Sequence, residues 1–184
     1  MRVEWIRHGE TLWQGTGRYQ GQTDVPLSEQ GRQALSPASF SPEKVYITAL
    51  QRTRQTAERL FPQAQLVVVE DLGEMNFGRF EGRSAAEMEE DPSYRAWVEG
   101  NCAGPIPEGE HPDAFMARCR AAFAPLLQHP APGRTALVVH GGTIMAILSA
   151  FARPERPYFD YHVSNGGGYL CTEENGLLRI VEQF

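Results

Sequence analysis

Short apolar runs rich in β-branched residues recur along the chain at residues 2–6 (RVEWI), 45–48 (VYIT), 65–69 (QLVVV) and 135–139 (TALVV). Runs of this length and composition predict buried strands. Between them the apolar positions change to helical spacing. Residues 28–36 begin at Ser28, a residue type that caps helix N-termini, and residues 50–60 (LQRTRQTAERL) carry apolar positions 50, 57 and 60. Residues 111–128 set Phe115, Cys119, Ala122, Phe123, Leu126 and Leu127 at the same spacing. Strands alternating with helices predict an α/β fold, a three-layer sandwich in which a mostly parallel sheet is flanked by helices.

Residues 158–184 (YFDYHVSNGGGYLCTEENGLLRIVEQF) are patterned differently. Three strand-like runs parted by NGGG and ENG turns predict a C-terminal β-meander at the end or edge of the sheet. The Pro- and Gly-rich residues 100–112 (GNCAGPIPEGEHP) predict a loop inside the domain, and Glu87, Met88, Tyr94 and Trp97 before it a short helical insertion.

Length and composition bound the class. A chain of 184 residues without internal repeats or linkers predicts one domain over residues 1–184. No segment approaches the roughly 20 apolar residues of a membrane span. A net charge of -6 leaves no general basic field for nucleic acid, although it permits a local cationic pocket. Cys102, Cys119 and Cys171 are odd in number and widely spaced, which argues against a disulfide framework and a cysteine zinc site and for a cytoplasmic protein. VEWI is too short, and too soon followed by Arg7 and His8, to be a signal-peptide core.

The first apolar run ends in the segment IRHGET, residues 6–11, and open α/β sheets build ligand sites at the carboxyl ends of their strands. The TALVV run ends in the same way, in His140-Gly141-Gly142-Thr143, before the apolar helix IMAILSAF. One buried histidine at a strand end is commonly a satisfied structural residue. Two at equivalent positions, each followed by a glycine that lets backbone N–H groups approach a ligand, point to a site. The VYIT run leads into LQRTRQTAE, which sets Arg52 in a first helical turn at that edge; Arg54 faces elsewhere, solvated or ion-paired. Arg7, Arg52 and a cationic His140 would converge with the positive end of that helix on a dianionic group, the combination that phosphate binding needs.

These residues carry a resemblance. RHGET at 7–11, GRYQGQTDVPLSEQGRQAL at 17–35, TALQRTRQTAE at 48–58, LGEMNFGRFEG at 72–82 and VVHGGT at 138–143 resemble, in order, the histidine phosphatase superfamily, also called the phosphoglycerate mutase-like family. The resemblance implies that His8 is a nucleophile that becomes a phosphohistidine. It also implies that Arg7, Arg52 and His140 hold the phosphoryl oxygens, that Glu74 protonates the leaving group, and that no metal or other cofactor takes part. Such a mechanism needs a neutral His8 held in one tautomer, for which a backbone carbonyl is the usual device. It also needs a Glu74 carboxyl whose pKa is raised by partial burial, with Met75 and Phe77 as candidate surroundings. Gln14, Gln20, Gly21 and Gly141 fall where the family's loops meet phosphate or substrate. Gln14 stands where close relatives often carry Asn, one methylene shorter.

Residues 79–112 hold Arg79, Arg83 and Arg95 among many acids, whereas mutases of the family bind a substrate carboxylate with basic residues in a longer insertion. Hydrolysis of a small-molecule phosphate monoester is therefore expected, by a monomer or homodimer. The compact length and the GEMNFG and PEGEHPDAFMARC segments look most similar to the alpha-ribazole phosphatase branch, with Gly109-Glu110-His111 in place of the usual Gly-Glu-Ser. Trp13, Tyr19, Phe77, Phe80, Tyr94 and Trp97 are candidate walls for an organic leaving group, half of them core. A catalytically silent phosphate-binding module is opposed by His8, Glu74 and His140 together, since binding needs only the cations. A metal-dependent hydrolase is opposed by the lack of HxH or HExxH spacing and by the adjacent arginines. GTGRYQG has the spacing GxGxxxG and does not open a helix after a strand, so it is no dinucleotide loop.

Overall fold

The four apolar runs form four parallel strands in the computed structural model, which describes residues 1–128 and 133–184. They are β1 (Arg2–Arg7), β2 (Lys44–Ile47), β3 (Gln65–Val68) and β4 (Arg134–Val139). β4 lies between β1 and β2 and is parallel to both, and β3 is parallel to β2. The helices are α1 (Glu29–Gln33), α2 (Gln51–Leu60), α3 (Pro92–Glu99), α4 (Pro112–Gln128) and α5 (Gly141–Phe151).

Alternation along each strand divides the side chains between two apolar layers, because successive Cβ atoms point to opposite faces of a sheet. Ile6, Ala136 and Val138 join Val45, Ile47 and Ala57 of α2 on one face. Val3, Trp5, Leu137 and Val139 join Phe115 and Phe123 of α4 and Ile144 and Ile147 of α5 on the other. Helices therefore cover both faces, as a sheet with apolar residues on both sides requires. Ser28 caps α1 by accepting from the Gly31 N–H at 2.9 Å, and that helix ends at Gln33, short of residue 36.

The tail differs from the expected three-stranded meander. Its first run forms a 3-10 turn over Tyr158–Tyr161, and only β6 (Gly168–Glu174) and β7 (Leu177–Gln183) make the hairpin. Tyr161 is wholly buried while Phe159 is 60% exposed, and Tyr158, three residues before Tyr161, is half-buried: this is the three-residue repeat of a 3-10 turn, whereas a strand repeats every two. β6 runs antiparallel to β1, and the two-residue β5 (Ala152–Arg153) pairs with β7, giving the order β3-β2-β4-β1-β6-β7-β5. Asn175 and Gly176, at φ of 55° and 78°, close the hairpin with the positive dihedrals that a tight two-residue turn demands.

The insertion builds a small core of its own from Phe80, Met88, Tyr94, Trp97 and Ile106. Asp91 caps α3 there, with Pro92 at its first turn. No helix among the described residues is long and apolar enough to cross a membrane.

Candidate active site

β1 and β4 lie side by side with Arg7 opposite Val139, so His8 and His140 leave adjacent strands at the same level. The His8 N–H donates to the Val139 carbonyl at 3.0 Å, and the two imidazole centroids stand 5.3 Å apart. Both rings are buried.

His8 Nδ1 lies 2.8 Å from the Gly9 carbonyl oxygen. A carbonyl only accepts, so Nδ1 carries the proton and Nε2 keeps its lone pair. That carbonyl is itself held: the Gly9 N–H donates to Thr56 Oγ1 at 2.9 Å, and Asn165 Nδ2 donates to the His8 and Gly9 carbonyls at 3.0 and 3.3 Å. Burial, then the positive charge of Arg52, with a smaller push from Arg7, hold the His8 pKa well below 6.5 against the pull of the Gly9 carbonyl. His8 is neutral at physiological pH.

Arg52 is in the first turn of α2 and wholly buried. Its Nη2 and Nη1 donate to the carbonyls of Gly21 and Thr23 at 2.7 and 3.0 Å, and its Nε to His140 Nδ1 at 3.3 Å. Burial lowers its pKa to about 10, opposed by Glu74, Asp24 and Glu81, and it stays cationic at neutral pH. Because guanidinium nitrogen only donates, His140 Nδ1 accepts, and Nε2 carries the proton toward Thr48 Oγ1, 2.9 Å away. Burial and the Arg52 charge also hold His140 well below 6.5. The expected cationic His140 is instead neutral, with both ring nitrogens engaged, because full burial beside a guanidinium disfavours a second positive charge.

Arg7 donates from Nη1 to the Val163 carbonyl at 2.7 Å, and the same nitrogen lies 3.3 Å from His162 Nε2. Among the described residues its Nε is buried without a partner, and so is Nε2 of Gln20, whose Oε1 accepts from the Thr11 hydroxyl. Buried donors left unpaired are costly, and oxygens of an anion would satisfy them. Gln14 turns its Oε1 to the Thr11 N–H at 3.0 Å and to Asn165 Nδ2 at 2.9 Å, which ties the carbonyl end of its amide to the loop. Gly141 packs on the Arg7 guanidinium, a Cβ there coming within 3.4 Å of Nε. Gly21 uses its carbonyl to hold Arg52, and a Cβ on it would overlap the Met75 carbonyl oxygen and Glu81 Oε1.

Glu74 is buried, with Oε1 accepting from the Met75 N–H at 2.9 Å and Oε2 from the Gly142 N–H at 3.0 Å. Burial raises its pKa, while the two N–H groups, Arg52 and Arg7 oppose that rise. Its backbone carbonyl accepts from Gln22 Nε2 at 2.6 Å and Arg118 Nη2 at 3.0 Å. Arg118 also donates to Asp71 and Gly73 carbonyls and engages both oxygens of Glu110, at 2.7 and 2.8 Å. Trp13, Tyr19 and Phe77 are half-buried, with Tyr19 and Phe77 packed against the insertion's core, to which Phe80, Tyr94 and Trp97 belong. Among the described residues no group of three His, Cys, Asp or Glu side chains is arranged to hold a metal ion.

Sequence reading missed Thr48, Asn165, Arg118 and the Gly142 N–H. Thr48 and Gly142 sit inside segments already singled out. Asn165 had only a turn signal, and Arg118 lies in the PEGEHPDAFMARC segment without being picked out from it. The assembled site holds a neutral histidine with a free ring nitrogen, two guanidinium groups, unpaired buried donors and a carboxyl of raised pKa. Together these can transfer a phosphoryl group by nucleophilic attack, charge stabilisation and proton donation.

Comparison with known proteins agrees with that chemistry. Residues 5–183 match the model of the histidine phosphatase superfamily (branch 1). A probable phosphoglycerate mutase of Yersinia enterocolitica is 36% identical over 158 residues, covering 81% of this chain and 74% of that protein. The alpha-ribazole phosphatase of Shigella flexneri has the same fold, with a TM-score of 0.86 at 23% identity over 100% of this chain and 96% of that one. A phosphoglycerate mutase of Thermus thermophilus superposes with a TM-score of 0.73 at 26% identity, over 100% and 98% of the two chains.

Proposed function

The chain belongs to the histidine phosphatase superfamily, and from that premise we propose that it hydrolyses small-molecule phosphate monoesters through a phosphohistidine on His8. The observation that carries this reading is the 2.8 Å bond from His8 Nδ1 to the Gly9 carbonyl, which leaves a neutral Nε2 for attack. In the first step Nε2 bonds to phosphorus as the ester P–O bond breaks in line. Glu74 gives its proton to the departing alkoxide. The same carbonyl then stabilises the positive charge that the phosphorylated ring acquires. In the second step water attacks phosphorus, Glu74 takes the water's proton, and the N–P bond breaks to return neutral His8. Arg7 and Arg52 offset the charge on the phosphoryl oxygens, and His140 aims Arg52 through its Nδ1. Phosphoryl transfer is catalysed mainly by such positioning and charge stabilisation.

Hydrolysis is favoured over mutase transfer by the ion pairs around the insertion. Arg83 and Arg79 face Asp91 at 3.1 and 3.9 Å, and Arg18 is paired through both terminal nitrogens with Glu87. Arginines so committed are poor receptors for a substrate carboxylate. The relative named a phosphoglycerate mutase supports the other reading, transfer between positions of a phosphoglycerate.

Purified protein assayed in excess chelator against alpha-ribazole phosphate, simple sugar phosphates, an aryl phosphate and 3-phosphoglycerate separates the two. Hydrolysis predicts release of inorganic phosphate from several esters. Isomerisation of phosphoglycerate without phosphate release would overturn it. Alpha-ribazole phosphate heads the panel because of the GEMNFG and PEGEHPDAFMARC segments.

A further inference from the structure

Glu81 closes the short 3-10 turn Gly78–Phe80 that follows Glu74, and its carboxylate bonds both to the start of that turn and to the Gln22–Thr23 segment. Oε1 accepts from the N–H groups of Gln22 at 2.8 Å and Phe77 at 3.1 Å. Oε2 accepts from the Thr23 N–H at 2.8 Å and from the Thr23 hydroxyl. Four donors on one carboxylate leave it no role as a general acid.

The peptide unit between Gly21 and Gln22 explains what those bonds achieve. In a trans peptide the N–H and C=O point in opposite directions within one plane. When the Gln22 N–H is drawn to Glu81, the Gly21 carbonyl must point away from it, and that carbonyl receives Arg52 Nη2 at 2.7 Å. The Thr23 carbonyl, in the residue whose N–H and hydroxyl Glu81 also holds, receives Nη1 at 3.0 Å. Gly21 admits the carboxylate because a Cβ there would overlap Glu81 Oε1. Bonds to a charged acceptor are shorter and stronger than neutral ones, so the turn has one favoured orientation. Glu81 is also among the negative groups that support the positive charge of Arg52.

We infer that Glu81 is a positioning residue for phosphoryl binding: it fixes the Gly21–Thr23 turn so that the carbonyls of Gly21 and Thr23 aim Arg52 at the phosphoryl group. The inference rests on the proposed phosphoryl chemistry, because Arg52 is its point of action.

Glu81→Gln keeps size but sets an NH2 group against backbone N–H groups, and Glu81→Asp keeps the charge but shortens the reach. Each should weaken inorganic phosphate binding, measured by titration calorimetry, by about 10- to 100-fold, toward the loss typical of a displaced oriented donor. In an Arg52→Ala background Glu81→Gln should change phosphate affinity less than about threefold, because residues acting through one another are not additive. An undiminished effect in that background, or wild-type affinity in both single variants, overturns the inference. If the variants do not fold, amide exchange in the unaltered protein decides. Protection of the Gln22, Thr23 and Phe77 amides to the level of the core strands supports the inference, and exchange at solvent rates rejects it. Phosphate binding without turnover of any ester by the unaltered protein would defeat the phosphatase reading alone.

Discussion

Gly142 donates its N–H to Oε2 of Glu74 at 3.0 Å from the first turn of α5, and a side chain there would collide with the carboxylate, since a Cβ would overlap Oε1. Glu74, the proposed acid, is thereby fitted against the strand end that carries His140. Burial raises the carboxyl pKa while the helix N-terminus and the Met75 N–H favour the ionised form. A group balanced in this way can both give and take a proton.

Gly142→Ala should therefore disable the acid without unfolding the chain. Alanine is up to about 1 kcal/mol better than glycine in a helix, so helix propensity itself opposes a loss of stability. Displacing Glu74 should reduce turnover of an alkyl phosphate by roughly 10²-fold, within the range of general acid catalysis. The burst of an aryl phosphate with an acidic phenol as leaving group should suffer far less, because that group needs no proton. Equal losses in the two burst rates would mean that the substitution distorts the phosphate site itself.

Rapid alkaline quenching with labelled substrate should trap an acid-labile phosphoenzyme, and His8→Ala should remove both the label and turnover. His140 is not expected to substitute, since its Nδ1 accepts from Arg52 and its Nε2 faces Thr48. Label surviving in His8→Ala would move the nucleophile elsewhere.

Stability should depend on pH through the buried histidines. Both have folded pKa values below the ordinary 6.5, so below 6.5 the unfolded chain binds protons that the folded chain does not. Their contribution is complete above 6.5 and is lost as pH falls toward the depressed folded values. Linkage gives about 1 kcal/mol per histidine between pH 6.5 and 5.5. Glu74 acts in the opposite sense, because its raised folded pKa makes stability decline as pH rises through that value. The difference between the unaltered protein and His140→Asn cancels the Glu74 contribution. Urea unfolding should show the variant losing about 1 kcal/mol less over that interval, and parallel profiles would mean that His140 is not buried neutral.

Much of this arrangement was legible in the chain. Apolar runs of five residues leading into RHG and HGG placed His8 and His140 at one sheet edge, because strand period and strand ends are local properties. Arg52 followed from its distance past the second run. The tail misled: YFDYHV has strand-forming residues, and only the packing of Tyr161 into the core shows that its repeat is three.

Tertiary structure alone decided which groups hold the site in its working state. Asn165 reaches the His8 carbonyl across 157 residues, Thr48 meets His140 across 92, and Glu81 grips Thr23 across 58. No periodicity or local propensity records such pairings. The charge of His140 was likewise set by folding, since its residue type fixes only an ordinary pKa near 6.5, and burial beside Arg52 moves that value. The sequence determined which chemical groups arrive at the strand ends. Their tautomers, charges and aim arise from desolvation and long-range hydrogen bonds, which exist only once the chain has closed around them.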